Sequence, residues 1–104
     1  MPGQPQVAVV AGVRTPFVRS GTRFRDLSAV RLGEVVVSEL VQRAGLDPEL
    51  VDEVILGNIA QPADATNVAR VVALRAGIPI DRPAYTVQRN CASGMQAITT
   101  ARAR

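Results

Sequence analysis

At 104 residues the chain has the length of one small domain. Hydrophobic residues make up 47% of it, mostly Val and Ala, which excludes an intrinsically disordered chain and is typical of a sheet covered by helices. The nominal charge is +3, and the single cysteine excludes an internal disulfide. The sequence contains no metal-ligand cluster, no signal peptide pattern and no apolar run of membrane-spanning length, so we expect a cytoplasmic protein that holds no metal.

Every basic residue is an arginine, and Arg14, Arg19, Arg23 and Arg25 cluster near the start. Only Phe17 and Phe24 interleave with them, and no nucleic-acid recognition motif follows. We expect a solvated loop and no nucleic acid partner. A site for an anionic ligand is the alternative.

The first half of the chain predicts a strand, a loop and a helix. Val7 to Ala11 is a continuous apolar run ending at Gly12, which is typical of a strand covered on both faces. Residues 13–27 are rich in Arg, Gly, Ser and Thr and predict a loop. Ser28 is a suitable N-cap for a helix that continues to about Ala44, with Gly45 in the left-handed C-terminal position.

The second half continues the alternation of strands and helices. The predicted elements are a helical turn at Asp47-Pro48-Glu49, a strand Val54-Ile55-Leu56 ending in Gly57-Asn58, a loop from Ile59 to Thr66, a helix from about Asn67 to Ala76, a strand near Ala84 to Gln88, and a helix starting around Cys91. This order predicts the α/β class, with βαβ units around a mostly parallel sheet. The adjacent residues Asp52 and Glu53 are expected to be surface charges, because neighbours on a strand point to opposite faces.

The most informative segment is Arg89-Asn90-Cys91-Ala92-Ser93-Gly94, where a strand turns into a helix. The unpaired N–H groups and positive end of a helix favour the thiolate form of a cysteine located there. A buried core cysteine is the equally weighted alternative on spacing alone. Ser93 resembles the hydrolase nucleophile elbow, but that motif needs glycine where Cys91 stands.

The chain ends inside a helix pattern, without a glycine cap. From the predicted elements we expect residues 1–104 alone to leave a sheet edge and an apolar surface uncovered. We therefore expect the opening piece of a longer protein, with a complete small domain as the alternative.

Several segments match one enzyme family in order: Val13 to Phe17, Val51 to Asn58, Asn67 to Arg70, Ala76 to Pro79, and Asn90 to Ala97. On this ordered set the chain resembles the N-terminal part of a thiolase, in the acetyl-CoA acyltransferase and acetyl-CoA acetyltransferase family. The resemblance covers essentially everything after Gln6. It implies an α/β fold in which two similar βαβαβ halves stack around buried helices, with this chain forming part of the N-terminal half. Residues 1–6 are then a flexible N-terminus and 7–104 an incomplete N-terminal domain.

The resemblance also implies a mechanism. In thiolases the cysteine that matches Cys91 attacks the ketone of a 3-ketoacyl-CoA, keeps an acyl group on sulfur and passes it to a second CoA. Coenzyme A is a substrate, and no cofactor is implied. Thiolases also use a histidine and a second cysteine, and this chain contains neither, so the chain by itself is expected to be inactive.

Other site residues follow from the same segment. Asn90 is expected to fix the turn, by side-chain hydrogen bonding or, preferably, by backbone propensity alone. Ser93 and Gly94 are expected to let the helix start pack closely, with Gly94 giving room to a neighbouring backbone. Arg89 either helps to hold a thiolate or, more commonly for such a residue, points to solvent.

Asn67 and Arg70 lie one turn apart in a stretch that the resemblance places near a subunit interface. An N-cap asparagine and a solvated arginine are the equally weighted alternative. A homodimer or tetramer is implied.

The resulting hypothesis is a degradative 3-ketoacyl-CoA thiolase of fatty-acid β-oxidation. The loop between Thr15 and Asp26, and the run from Gly57 to Pro62, are nearer to that branch. A biosynthetic acetoacetyl-CoA thiolase is one alternative. A non-catalytic, truncated thiolase-like piece is the other.

Overall fold

The structure is a computed structural model, and it describes residues 6–104. Its elements, in chain order, are helix α1 (Ala29–Arg43), a short 3₁₀ helix (Pro48–Leu50), strand β1 (Val54–Gly57), helix α2 (Val68–Arg75), strand β2 (Ala84–Val87) and helix α3 (Ser93–Ala103). The predicted α/β class is therefore confirmed. The predicted flexible N-terminus, except for Gln6, lies outside the described residues.

The two strands form a parallel pair, as expected for a βαβ unit. Val54 lies opposite Ala84, and Gly57 lies opposite Val87. Helix α2 connects them, and the pairing continues past β1 because the Asn58 N–H donates to the Val87 carbonyl at 3.1 Å. Both strands therefore end at the same edge of the sheet.

Helices α1 and α2 begin and end where their capping residues stand. The Ser28 hydroxyl accepts the Arg31 N–H at 3.0 Å, which satisfies one of the free donors of the first turn. Gly45 and Gly77 follow the two helices with φ of 60° and 88°, a region that favours glycine. The next residue, Leu46 or Ile78, donates back to the last helical turn in each case, which is the Schellman arrangement.

The core is centred on α2. Val68, Ala69, Val72 and Ala73 are all buried, because α2 packs against both strands on one side and against α1 on the other. Gly33 allows the close approach of α1: a Cβ placed there would lie 2.8 Å from a Val72 methyl carbon. The core thus fixes α2 between α1 and the sheet.

The predicted first strand, Val7 to Ala11, is wrong for the described part of the chain. No residue between 6 and 104 pairs with this run, and Val9 and Val10 are 90% and 88% exposed. Apolar composition favours a strand, but a strand forms only where a neighbour supplies hydrogen bonds. The loop predicted over 13–27 is confirmed: it contains turns and no helix or strand.

One of the two predicted surface charges is instead paired. Asp52 is exposed, but the Glu53 side chain is only 16% exposed and accepts a hydrogen bond from Arg104 Nε at 3.1 Å. That hydrogen bond and the carboxylate charge raise the pKa of the Arg104 guanidinium above its ordinary value. The two side chains therefore link the end of α3 to the start of β1.

Across residues 6–104, no helix is both long enough and apolar enough to span a membrane.

Candidate active site

Cys91 lies on a tight turn that leaves the carboxyl end of β2 and enters α3. The thiol is free and exposed. Helix α3 begins at Ser93, two residues later than the predicted start at Cys91. The buried core cysteine that spacing alone left open is therefore not found. In open α/β sheets, ligand sites gather at the carboxyl ends of strands, where this thiol stands.

The turn owes its shape to Asn90. Its φ is 48°, a left-handed value that is uncommon for a residue with a side chain and that Asn adopts more readily than most. This backbone angle supports the propensity explanation for Asn90. Arg89 and Cys91, on either side of Asn90, form an isolated β-bridge.

Ser93 joins the two ends of the turn. Its hydroxyl donates to the Asn90 carbonyl at 2.7 Å and accepts the Arg89 N–H at 2.8 Å. The Ser93 residue is only 5% exposed, so both bonds are sheltered from water. Because the hydroxyl spans Cys91, the turn that carries the thiol is closed on both sides.

The first turn of α3 lacks a side-chain cap. Its N-cap is Ala92, a residue among the poorest at this position, and no side chain satisfies the N–H groups there. The positive end of the helix is therefore left uncapped close to Cys91. Departures from local design rules of this kind concentrate at functional sites.

Arg89 is exposed, and its guanidinium donates to the Gln96 side-chain oxygen at 3.2 Å. Of the two alternatives for Arg89, the structure is therefore closer to the one in which its side chain points to solvent. Among residues 6–104, a Cβ placed on Gly94 would meet no atom outside its own stretch of helix within 4 Å. The expectation that Gly94 gives room to a neighbouring backbone stays a prediction.

Gly57 lies directly against the backbone at the start of α3. A Cβ placed on Gly57 would lie 2.4 Å from the Ser93 carbonyl carbon and oxygen and 2.5 Å from the Gly94 nitrogen. Sequence reasoning treated Gly57 only as the end of a strand. The available signal was the glycine itself, since a glycine in a strand often marks close approach of another backbone.

The second predicted pair, Asn67 and Arg70, is apart from the Cys91 turn. Asn67 is the N-cap of α2, as one alternative held; its amide donates to the Ala84 carbonyl at 3.0 Å and accepts from Thr86 Oγ1 at 2.9 Å. The other half of that alternative, a solvated arginine, is not found: Arg70 is half-buried, and its guanidinium donates to the carbonyls of Ile80 and Arg82. The Asn67 bonds anchor α2 to β2, and the Arg70 bonds anchor it to the segment just before β2. A role at a subunit interface stays a prediction.

A cavity of about 320 Å³ lies elsewhere, between loop 13–27 and α1. Arg14, Arg31 and Arg43 line it beside Glu39, and Cys91 does not. Arg43 is paired with Glu39 at 2.7 Å, and Arg14 lies over the Phe17 ring at 4.7 Å. Within residues 6–104, no three His, Cys, Asp or Glu side chains come together to hold a metal ion.

Residues 7–104 match the family model of the thiolase N-terminal domain. The chain belongs to the thiolase family. Among curated thiolases, the 3-ketoacyl-CoA thiolase of Aeromonas salmonicida is 45% identical over 93 residues, which are 89% of this chain and 21% of that protein. The 3-ketoacyl-CoA thiolase of Yersinia enterocolitica is 42% identical over the same shares. This thiolase chain thus spans about a fifth of the length of these relatives.

Solved thiolase structures have the same fold over this segment. The acetyl-CoA acetyltransferase of Bacillus anthracis superposes with a TM-score of 0.86 at 45% identity, covering 90% of this chain and 24% of that one. Human mitochondrial 3-ketoacyl-CoA thiolase in complex with CoA gives 0.86 at 41% identity, with the same coverage. The expected thiolase-like α/β fold is therefore confirmed.

Proposed function

We propose that this chain provides the acyl-accepting cysteine of a 3-ketoacyl-CoA thiolase. The observation that carries the proposal is the exposed Cys91 thiol, held on a closed turn at the carboxyl edge of the sheet in a member of this family. A thiolate is both a strong nucleophile and a competent leaving group, which a two-step acyl transfer requires.

In the proposed reaction the Cys91 sulfur attacks the C3 carbonyl carbon of a 3-ketoacyl-CoA. The C2–C3 bond breaks, acetyl-CoA leaves after its C2 carbon takes up a proton, and the shortened acyl group remains on sulfur as a thioester. The sulfur of a second CoA then attacks the thioester and releases Cys91. Acyl-CoA and CoA are thus the small-molecule partners, both as substrates, and the scheme calls for no cofactor.

Two roles are assigned within the described residues. Cys91 is the nucleophile, and Asn90 and Ser93 hold its turn. The proton acceptor for the thiol and the group that handles the acetyl carbon would be a histidine and a second cysteine contributed by other sequence, because the chain has no histidine and one cysteine. We propose the cytoplasm as its location and a homodimer or tetramer as its assembly.

Two other candidates each have an observation in their favour. The 45% identity to the acetyl-CoA acetyltransferase of Bacillus anthracis equals that to the 3-ketoacyl-CoA thiolase of Aeromonas salmonicida, which favours a biosynthetic acetoacetyl-CoA thiolase as the second candidate. The missing histidine and second cysteine favour a non-catalytic piece for a polypeptide of this length.

The test is thiolysis by the protein at its full natural length, with Cys91→Ala beside the unchanged protein. We expect Cys91→Ala to lower kcat more than about a thousandfold, because no other group on the turn is a strong nucleophile. A trypsin fragment of residues 90–102 contains the thiol, so mass spectrometry would locate the acyl group. Thiolysis that survives Cys91→Ala would contradict the proposal.

The same protein separates the alternatives. Efficient cleavage of a long-chain 3-ketoacyl-CoA favours the degradative enzyme, whereas turnover restricted to acetoacetyl-CoA favours the biosynthetic one. If the natural protein has the intact mass of residues 1–104 and shows no thiolysis, the result would favour the non-catalytic piece.

A further inference from the structure

The end of β1 is pressed against the start of α3 at Gly57. No side chain fits there, because a Cβ on Gly57 would lie 2.4–2.5 Å from the backbone of Ser93 and Gly94. The atoms that it would meet belong to the main chain, so no rotation of a side chain relieves the overlap. Helix α3 therefore starts as close to β1 as two backbones allow.

β1 is the less movable partner in this contact. Gly57 is in register with Val87, and the following Asn58 N–H donates to the Val87 carbonyl. The opposite end of the same strand is held by the bond from the Val54 N–H to the Pro83 carbonyl at 3.1 Å. An enlarged residue at position 57 would thus displace the start of α3 more readily than the sheet.

Displacement at Ser93 would reach the thiol through the turn. The Ser93 hydroxyl bonds to both Arg89 and Asn90, the two residues that precede Cys91. We propose that Gly57, through its backbone contact with Ser93, is a positioning residue that sets where the Cys91 sulfur stands. This inference rests on the proposed role of Cys91 as the nucleophile.

Gly33 offers a matched control for the size change. A Cβ there would also be too close to its neighbour, at 2.8 Å, but that neighbour is a Val72 methyl group in the α1–α2 contact. Gly33→Ala therefore strains the packing of the core without touching the Cys91 turn. Among residues 6–104, a Cβ on Gly12 would meet no atom within 4 Å, so Gly12→Ala controls for the substitution itself.

The experiment compares kcat and KM for thiolysis by Gly57→Ala, Gly33→Ala, Gly12→Ala and Ser93→Ala in the protein at its full natural length. For Gly57→Ala we expect kcat to fall roughly tenfold to a hundredfold with KM within twofold, since misplacing a reacting atom by about 1 Å costs rates of this order. Gly12→Ala should leave both values unchanged. Gly33→Ala should lower the unfolding temperature with kcat retained.

The double variant Gly57→Ala/Ser93→Ala provides a readout that a structural role alone would not move. Because both changes act through one turn, its loss of kcat should be smaller than the product of the two single losses. A Gly57→Ala protein that folds and keeps kcat within twofold would overturn the proposal. If that variant does not fold, Ser93→Ala decides. Unchanged kcat would overturn the proposal that Ser93 transmits the position of Gly57 to Cys91, and a lower kcat at unchanged KM would support it.

Failure of this inference is distinguishable from failure of the proposed function. Thiolysis that survives Cys91→Ala removes the nucleophile and the inference with it. If Cys91→Ala abolishes thiolysis but the Gly57 and Ser93 variants keep their kcat, only this inference is contradicted.

Discussion

At the scale of single residues, the Cys91 turn depends on positions that do no chemistry themselves. Asn90 takes the left-handed backbone angle, and Ser93 closes the turn with two hydrogen bonds. Gly57 contributes by having no side chain. Each of the three constrains the backbone around a thiol that is itself exposed.

Asn90 yields a prediction that separates its two possible roles. If backbone propensity is what matters, Asn90→Gly should keep the free energy of unfolding within about 0.5 kcal/mol, and Asn90→Ala should lower it by about 1 kcal/mol, because alanine tolerates a left-handed angle less well than Asn or Gly. Denaturant unfolding of both variants measures this. Equal losses in the two variants would instead indicate a role for the side-chain amide, which both substitutions remove.

At the scale of elements, both ends of α1 and of α2 are stabilised by a recognisable local device. Ser28 and Asn67 cap the starts of α1 and α2, and Gly45 and Gly77 follow their ends in left-handed conformation. Helix α3 departs from this pattern at its start, where Ala92 offers no acceptor. The exception coincides with the proposed nucleophile.

The cap of α1 is testable with a matched serine on the same helix. We expect Ser28→Ala to lower the free energy of unfolding by about 1 kcal/mol, because the Arg31 N–H loses its acceptor. Ser38 is exposed within α1, and Ser38→Ala should change stability by less than about 0.5 kcal/mol. Equal effects of the two substitutions in chemical denaturation would argue against the cap.

At the scale of the whole described chain, α2 is the central element. It packs against α1, β1 and β2, and Val72 is fully buried where they meet. Since β2 leads directly into the Cys91 turn, the packing of α2 on β2 also holds the base of the candidate site. The Asn67 and Thr86 side chains add a direct hydrogen bond between the two elements.

Val72 is therefore where we expect stability to be most sensitive. Val72→Ala removes two carbon atoms from a fully buried site and should cost about 2–3 kcal/mol once the cavity left behind is included. Leu74 lies on the same helix but is 43% exposed, so Leu74→Ala should cost less despite removing a larger group. Thermal or denaturant unfolding of the two variants gives the comparison, and a reversed order would contradict this view of the core.

The sequence predicted the features that depend on neighbouring residues. The bounds of α1 follow from Ser28 and Gly45, and the parallel pairing of β1 and β2 follows from the helix between them. The features that depend on distant residues were missed. Val7 to Ala11 has a strand composition but no partner among residues 6–104, and a glycine at the end of β1 does not by itself show that the backbone it faces is the start of α3.

The two hydrogen bonds of Ser93 also determine where its only proton lies. The Asn90 carbonyl can accept but not donate, and the Arg89 amide can donate but not accept, so the hydroxyl hydrogen must point at Asn90. Ser93 therefore has no hydrogen left for a sulfur anion or for an oxygen that gains charge beside it. The hydroxyl nearest to the thiol in sequence holds the turn but is unavailable as a proton donor, and that role belongs to another group.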